Sequence, residues 1–188
     1  MKEQKTAERK REHTTLLSAG TVVDKTDARV EFRGRLDNLS AAVVALQILG
    51  QHEGRASLVE ELEEVRAKIY DILSCEVTGR PCEALTLWGL SSEEIRERSH
   101  HPAKYFGLGH IRSHHTMGIV AAGLNELRTK IRETELSACR AFWTPQGPRR
   151  SDLITVLNRL SSALYVLTYN YLPEDYRETV RSAEKNEI

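Results

Sequence analysis

The sequence predicts an all-α fold, a five-helix bundle of four long helices and one short one. Three observations carry this. Apolar residues recur at alternating spacings of three and four in four separate stretches, Gly or Pro follows each stretch, and Val, Ile and Thr do not gather into alternating runs. A length of 188 residues suits one such bundle with a single core.

The elements follow in chain order. Residues 1–12 carry eight charged side chains and almost nothing to bury, so they are read as a flexible tail. Thr21–Val23 and Arg29–Phe32 are expected to be short extended pieces. The first helix takes its stripe from Leu36, Leu39, Val43 and Leu46, with Asp37 in its first turn and Gly50 at its end. The second starts near Ser57, runs through Leu58, Leu62, Val65, Ile69 and Ile72, and is stopped by Gly79-Arg80-Pro81. A short third helix starts at Ser91, whose Ser-Ser-Glu-Glu is an N-cap with an acidic first turn, and Pro102 ends it. Residues 100–118 lack periodicity and hold five of the seven histidines. The fourth helix carries Val120, Leu124, Leu127, Ile131 and Ala138. The fifth carries Leu153, Leu157, Leu160, Leu164 and Leu167, with Pro173 closing it. The bundle thus covers 13–173, and 174–188, again with eight charges, is read as a second flexible tail, mobile or weakly helical.

Lys and Arg together number 27, as do Asp and Glu, so the net charge is zero. That balance argues against a nucleic-acid polymer as partner, which calls for a basic excess. No apolar run approaches the roughly 20 residues of a membrane span, and the start lacks a secretory segment. Cys75, Cys82 and Cys139 form no CxxC and are read as reduced thiols of a cytoplasmic protein.

Four groups of residues bear on chemistry. Asn125, Arg128, Arg132 and Glu135 are spaced three, four and three, which lines them along one face of the fourth helix. Guanidinium forks match phosphate oxygens, so the row suits a polyphosphate; it also reads as a solvated face with internal ion pairs. Asn158 and Ser162 lie one turn apart inside an apolar pattern, suited to a ligand or to hydrogen bonds within the bundle. Lys25, Arg29 and Arg33 precede a helix start, where they suit an anion, although Asp37 there equally serves the helix dipole. Among the histidines, Glu97 and His100 form an ExxH and His110 and His114 are four apart. A carboxylate-bridged metal bundle needs a second ExxH, which the sequence lacks. A metal-binding bundle using this loop, or a loop that covers a ligand, are both open readings.

Four segments together resemble the corrinoid adenosyltransferases. They are His13–Leu16 with Lys25–Asp37, Ser99–Gly107, Leu124–Glu135 and Asn158–Ser162, in the family's order. The similarity is greatest to the ethanolamine-utilisation (EutT) type, a relative of the PduO type, and spans about 13–172. It implies a ferritin-like up-and-down bundle, a homotrimer, and active sites between subunits. The implied reaction moves the 5′-deoxyadenosyl group of ATP to Co(I) of cobalamin, giving adenosylcobalamin for ethanolamine ammonia-lyase, with a reductase as a further partner. The resemblance places the protein in the cytoplasm or in a bacterial microcompartment.

By the same resemblance, Arg128 and Arg132 contact the ATP phosphates or ribose, helped by Mg²⁺, and Glu135 orients Arg132 or a metal-bound water. Asn158 touches the nucleotide, and Thr14, Thr15 and Lys25 sit at the triphosphate. Asp37 pairs with Arg128 across the subunit interface. Tyr105, Phe106 and His110 are candidates to cover the lower face of the corrin. The sequence departs from relatives in two places. Their Thr-Gly-Asp-x-Gly phosphate loop is reduced to Glu12-His13-Thr14-Thr15, and the His/Cys-rich metal segment of some EutT-type members has no counterpart here. A scaffold protein of the same assembly, without catalysis, is the reading from another class.

Overall fold

The structure, a computed structural model, describes residues 11–18 and 20–186, with side chains as far as Val180. The charged segment 1–12 therefore lies almost wholly outside the described residues. The chain is all-α in class, with two small hairpins added. Strands β1 (Thr14–Ser18) and β2 (Thr21–Asp24) pair antiparallel. Helix α1 spans Ala28–His52 and α2 spans Ala56–Thr78. Strands β3 (Thr86–Leu87) and β4 (Leu90–Ser91) form the second hairpin. Helices α3 (Ser92–His100), α4 (Pro102–Phe106), α5 (Gly118–Phe142), α6 (Ser151–Asn170) and α7 (Glu174–Asn186) follow, with a 3₁₀ turn at His115–Met117. None of the described helices is long and apolar enough to cross a membrane.

Several boundaries differ from the sequence reading. Arg29–Phe32 is not extended: α1 begins a full two turns before Leu36, because the Asp27 side chain accepts the Arg29 N–H at 2.8 Å and caps it. Phe32, four residues before Leu36, continues the buried stripe. Asp37 is consequently the tenth helical residue, beyond the reach of the N-terminal dipole, and that role for it falls away. Pro102 does not simply stop α3; it occupies the first turn of α4. The β3–β4 hairpin turns on Trp88 and Gly89, both left-handed at φ 53 and 73, as a two-residue hairpin turn requires. The segment read as a C-terminal tail is helical to Asn186 and buries Tyr176. Its hydroxyl donates to Arg112 O at 2.8 Å and accepts the Arg112 N–H at 3.0 Å.

Other boundaries match their local chemistry. Gly79 ends α2 in the left-handed conformation, φ 75. Ser91 caps α3 in a reciprocal capping box with Glu94. The helices then pack by their stripes. Helix α5 lies between α1 and α6, α2 packs on α1, and α3 lies on α6. The main core contains Phe32, Leu62, Ile69, Leu124, Ile131 and Leu157, all essentially inaccessible to water. A second, smaller cluster of Leu108, Met117, Ala121, Tyr169, Leu172 and Tyr176 seats the irregular loop and α7 against the end of α6.

One buried charge cluster joins three elements. The Glu76 carboxylate, near the end of α2, is fully enclosed. It accepts Arg29 Nη2 at 2.6 Å and Arg33 Nε at 2.5 Å, and Arg33 Nη1 donates to Leu17 O of β1 at 2.6 Å. Arg29 and Arg33 are thus both engaged inside the chain by one carboxylate, which leaves the cluster a single net positive charge. The expected anion site at this helix start is reduced to Lys25, which is exposed.

Candidate functional site

The row on α5 is built as its spacing requires. Asn125, Arg128, Arg132 and Glu135 run along the flank of α5 nearest α6, while Ile119, Gly123, Glu126 and Lys130 face α1. The internal ion pairs expected of a solvated face do not form. Arg128 Nε donates to Asn125 Oδ1 at 2.9 Å, and its guanidinium lies over the Tyr165 ring at 5.8 Å. Arg132 is exposed. Neither arginine has a carboxylate partner among the described residues. Burial, and then the like charge of Arg132, push the Arg128 guanidinium below its usual value. Two adjacent guanidiniums without a counter-charge, one of them half-buried, make a site that gains by taking an anion.

The far end of the row is polar. Asn158 Nδ2 on α6 donates to Glu135 Oε1 at 3.0 Å, and Arg159 Nη1 donates to Asn158 Oδ1 at 2.8 Å. Glu135 therefore holds Asn158 rather than Arg132. Ser161 and Ser162 turn back onto Asn158 O at 2.8 and 3.3 Å, which answers the serines structurally.

The near end is the irregular loop, and here the fold adds residues that the sequence did not single out. Tyr165 and Tyr169, one turn apart on α6, latch residues 109–111. Tyr169 donates its hydroxyl to Gly109 O at 2.8 Å and lies 2.9 Å from the Tyr165 hydroxyl. Tyr165 accordingly donates to Tyr169 and accepts the Ile111 N–H at 3.1 Å. His110 Nδ1, 3.0 Å from the same oxygen, must then supply its proton, which leaves Nε2 as the acceptor. Phe106 stacks on Tyr169 with ring centroids 4.5 Å apart. Asn125 Nδ2 reaches Ser113 Oγ at 3.2 Å, so the row and the loop share a second link.

Tyr165→Phe removes the hydroxyl at the centre of this latch and leaves the ring under Arg128. Each lost hydrogen bond is worth about 1 kcal/mol. Amide hydrogen exchange at 109–111 is expected to accelerate by about 10-fold, with the α1 and α2 amides unchanged. Unchanged exchange at Ile111 would show that the latch does not hold the loop.

Of the remaining sequence candidates, Phe106 and His110 come to the latch and so to Arg128. Tyr105 does not: it faces α3, with its hydroxyl 3.4 Å from Glu97 Oε1 and its ring beneath Arg98 and Lys104. Thr14, Thr15 and Lys25 sit on and after the β1–β2 hairpin, where Lys25 N donates to His13 O at 2.8 Å. Asp37 is exposed on α1, and α1 packs on the flank of α5 away from the row. It makes no hydrogen bond or ion pair among the described residues. The His114 and His115 rings lie 4.1 Å apart, but the histidines form no three-residue ligand cluster among the described residues: His101 lies 3.6 Å from Glu97, and His114 accepts the Thr116 N–H. Among the described residues the one potential metal-ligand cluster contains no histidine, which removes the basis for a histidine-loop metal bundle.

The sequence is also similar to known proteins. The family described as cobalamin adenosyltransferase matches residues 6–171. Corrinoid adenosyltransferase EutT of Escherichia coli (strain K12) is 38% identical over 154 residues, which is 81% of this chain and 56% of that protein. Its counterpart from Salmonella typhimurium is 36% identical over the same shares. The chain spans a little over half the length of these relatives.

Proposed function

Because the chain belongs to the cobalamin adenosyltransferase family, we propose that it transfers the 5′-deoxyadenosyl group of ATP to the cobalt of cobalamin, as a corrinoid adenosyltransferase of the ethanolamine-utilisation type. The observation that carries this reading is the pair of guanidiniums on α5 without a counter-charge.

In this reaction Co(I) is the nucleophile. It attacks the ribose C5′ in line, and the triphosphate leaves. No side chain need take a proton; the protein must hold ATP, neutralise the leaving group and keep water out. Arg128 and Arg132 receive the phosphates, with Arg128 held in place by Asn125 and the Tyr165 ring. Asn158, fixed by Glu135 and Arg159, contacts the nucleoside. Mg²⁺ arriving with a triphosphate needs one or two carboxylates, and Glu135 is the carboxylate of the row that fits. Phe106, at the end of α4 and stacked on Tyr169, and His110, on the latched loop, flank the corrin; Tyr105 is turned to α3, away from them. Lys25, Thr14 and Thr15 extend the phosphate site.

A homotrimer with sites between subunits accounts for two further features. The row lies on the surface of the bundle, so a neighbour is needed to close it. Asp37, on the wrong flank to meet Arg128 within one chain, then pairs with the Arg128 of a neighbour. The groove between α1 and α5 is lined by Ala41, Ala45, Ile119 and Ala122 and has a volume of about 560 Å³, an apolar face suited to subunit packing. A reductase and ethanolamine ammonia-lyase are the corresponding partners.

Cobalamin spectroscopy tests the reading. With ATP, cob(II)alamin is expected to give the spectrum of four-coordinate cobalt, and added reductant is expected to yield adenosylcobalamin. A base-on spectrum unchanged by protein and ATP would identify a scaffold instead.

A further inference from the structure

Away from the arginine row, the end of α2 brings together Asp71, Cys75 and Cys82. One ligand atom from each lies within 4.8 Å of the others. Cys75 is fully buried and Cys82 nearly so. The left-handed turn at Gly79 sends the chain back along α2, and this places Cys82 beside Cys75 although seven positions separate them. We propose that Asp71, Cys75 and Cys82 form a binding site for one divalent metal ion of zinc type, completed by a water at the solvent side of Asp71.

The three side chains are grouped within reach of one ion. Cys75 Sγ lies 4.0 Å from Asp71 Oδ1, and Cys82 Sγ lies 4.0 Å from Asp71 Oδ2. Zinc bonds of about 2.3 Å to sulfur and 2.0–2.2 Å to oxygen imply ligand-to-ligand edges of about 3.6–3.8 Å. The two sulfurs approach different oxygens of Asp71; with one ligand atom from each residue the set lies within 4.8 Å, so binding a metal draws the ligands together by up to about 1 Å. Two soft sulfurs with one carboxylate select zinc over magnesium or calcium.

The surroundings are already fixed. Arg150, at the start of α6, donates to Cys75 O at 3.1 Å and to Arg80 O at 3.0 Å, and Asp152 accepts the Cys82 N–H at 2.9 Å. The backbone carrying both thiols is thus clamped from outside, as a metal site's supporting shell should be. Lys68 Nζ lies 2.9 Å from Asp71 Oδ2, and Arg80 donates to Oδ1. Two thiolates and a carboxylate around a divalent ion leave one negative charge, which these two neighbouring cations more than offset. On binding, two thiol protons pass to solvent.

A disulfide is the competing use of the same sulfurs. The site would tie the loop that follows α2 back onto α2, and it stands or falls apart from the adenosyl-transfer reading.

Co²⁺ titration of the full chain, stripped of metal and kept reduced, tests the proposal without cobalamin. One equivalent is expected to bind, with a thiolate-to-cobalt band in the near ultraviolet and visible bands of tetrahedral intensity, all lost on adding one equivalent of Zn²⁺. Zn²⁺ is expected to protect two of the three cysteines from alkylation, leaving Cys139 reactive. Cys75→Ser and Cys82→Ser should each weaken Co²⁺ binding beyond the roughly 10–100-fold that losing an outer-shell partner costs, and Cys139→Ser should leave it unchanged. If a variant fails to fold, the wild-type band and the alkylation count decide. Absence of the band at saturating Co²⁺, its survival without both Cys75 and Cys82, or equal alkylation of all three thiols with Zn²⁺ present would overturn the site.

Discussion

Arg132→Ala is expected to lower the turnover of ATP and reduced cobalamin by about 10²–10³-fold, the loss of about 2.7–4 kcal/mol of transition-state stabilisation typical of a preorganised charged or polar donor. The prediction is sharp because Arg132 has so little else to do. It is exposed, and no carboxylate or carbonyl among the described residues holds it. A surface residue without such ties changes stability by no more than about 0.5 kcal/mol on substitution. Lost activity with an unchanged melting curve would therefore report on the leaving triphosphate and nothing structural. Arg132→Lys keeps the charge without the planar fork and should recover part of the rate. Adenosylcobalamin formation at saturating ATP is the measurement, and near-wild-type turnover in Arg132→Ala would remove the residue from the mechanism. Arg128→Ala is the less clean variant. It also breaks the bond to Asn125 and uncovers the Tyr165 ring, so its loss would mix chemistry with loop order.

The difference between these two arginines also marks what was legible in the sequence. The row is visible because four residues of one helix repeat at three and four, and a helix's geometry alone puts them on one face. The same holds for the stripes of α2, α5 and α6, and for the Ser91 cap, where each signal and its consequence lie within a few residues. The latch was not legible. Tyr165 meets His110 and Ile111 across more than 50 positions of chain, and nothing local distinguishes it from any other tyrosine on an apolar helix. Nothing in the sequence joins Cys75 to Cys82, which form no CxxC; a single left-handed residue, Gly79, makes them neighbours. The start of α1 was misread for the opposite reason. The Asp27 cap and Phe32 were in plain view, but Arg29, Val30, Glu31 and Phe32 taken alone alternate polar and apolar as a strand does. Glu76, a residue of a different helix, then ties Arg29 and Arg33 of this turn to α2.

That tie gives the largest expected effect on stability. Glu76→Ala leaves Arg29 and Arg33 facing each other where the carboxylate was. Removing one partner of a buried ion cluster costs about 3–5 kcal/mol. Arg29 and Arg33 keep side-chain exposures of 33% and 21% and can turn partly toward water, which places the expected loss near the lower end, about 3 kcal/mol. Against a total stability of about 5–15 kcal/mol this is a large fraction. It should appear in urea unfolding as a lower midpoint with the slope unchanged. The first turns of α1 and the β1 strand, held through Arg33 and Leu17 O, are expected to lose hydrogen-exchange protection before the rest of the bundle. Arg33→Met should cost less than Glu76→Ala, because Arg33 Nη2 is buried without a hydrogen-bond partner and that guanidinium is already imperfectly satisfied. Replacing the cluster as a whole, with Glu76→Leu, Arg29→Met and Arg33→Met together, should restore most of the loss, since apolar packing offsets as well as a buried ion set does. A triple variant no more stable than Glu76→Ala would mean that the charges themselves, not merely their mutual neutralisation, hold α1 to α2.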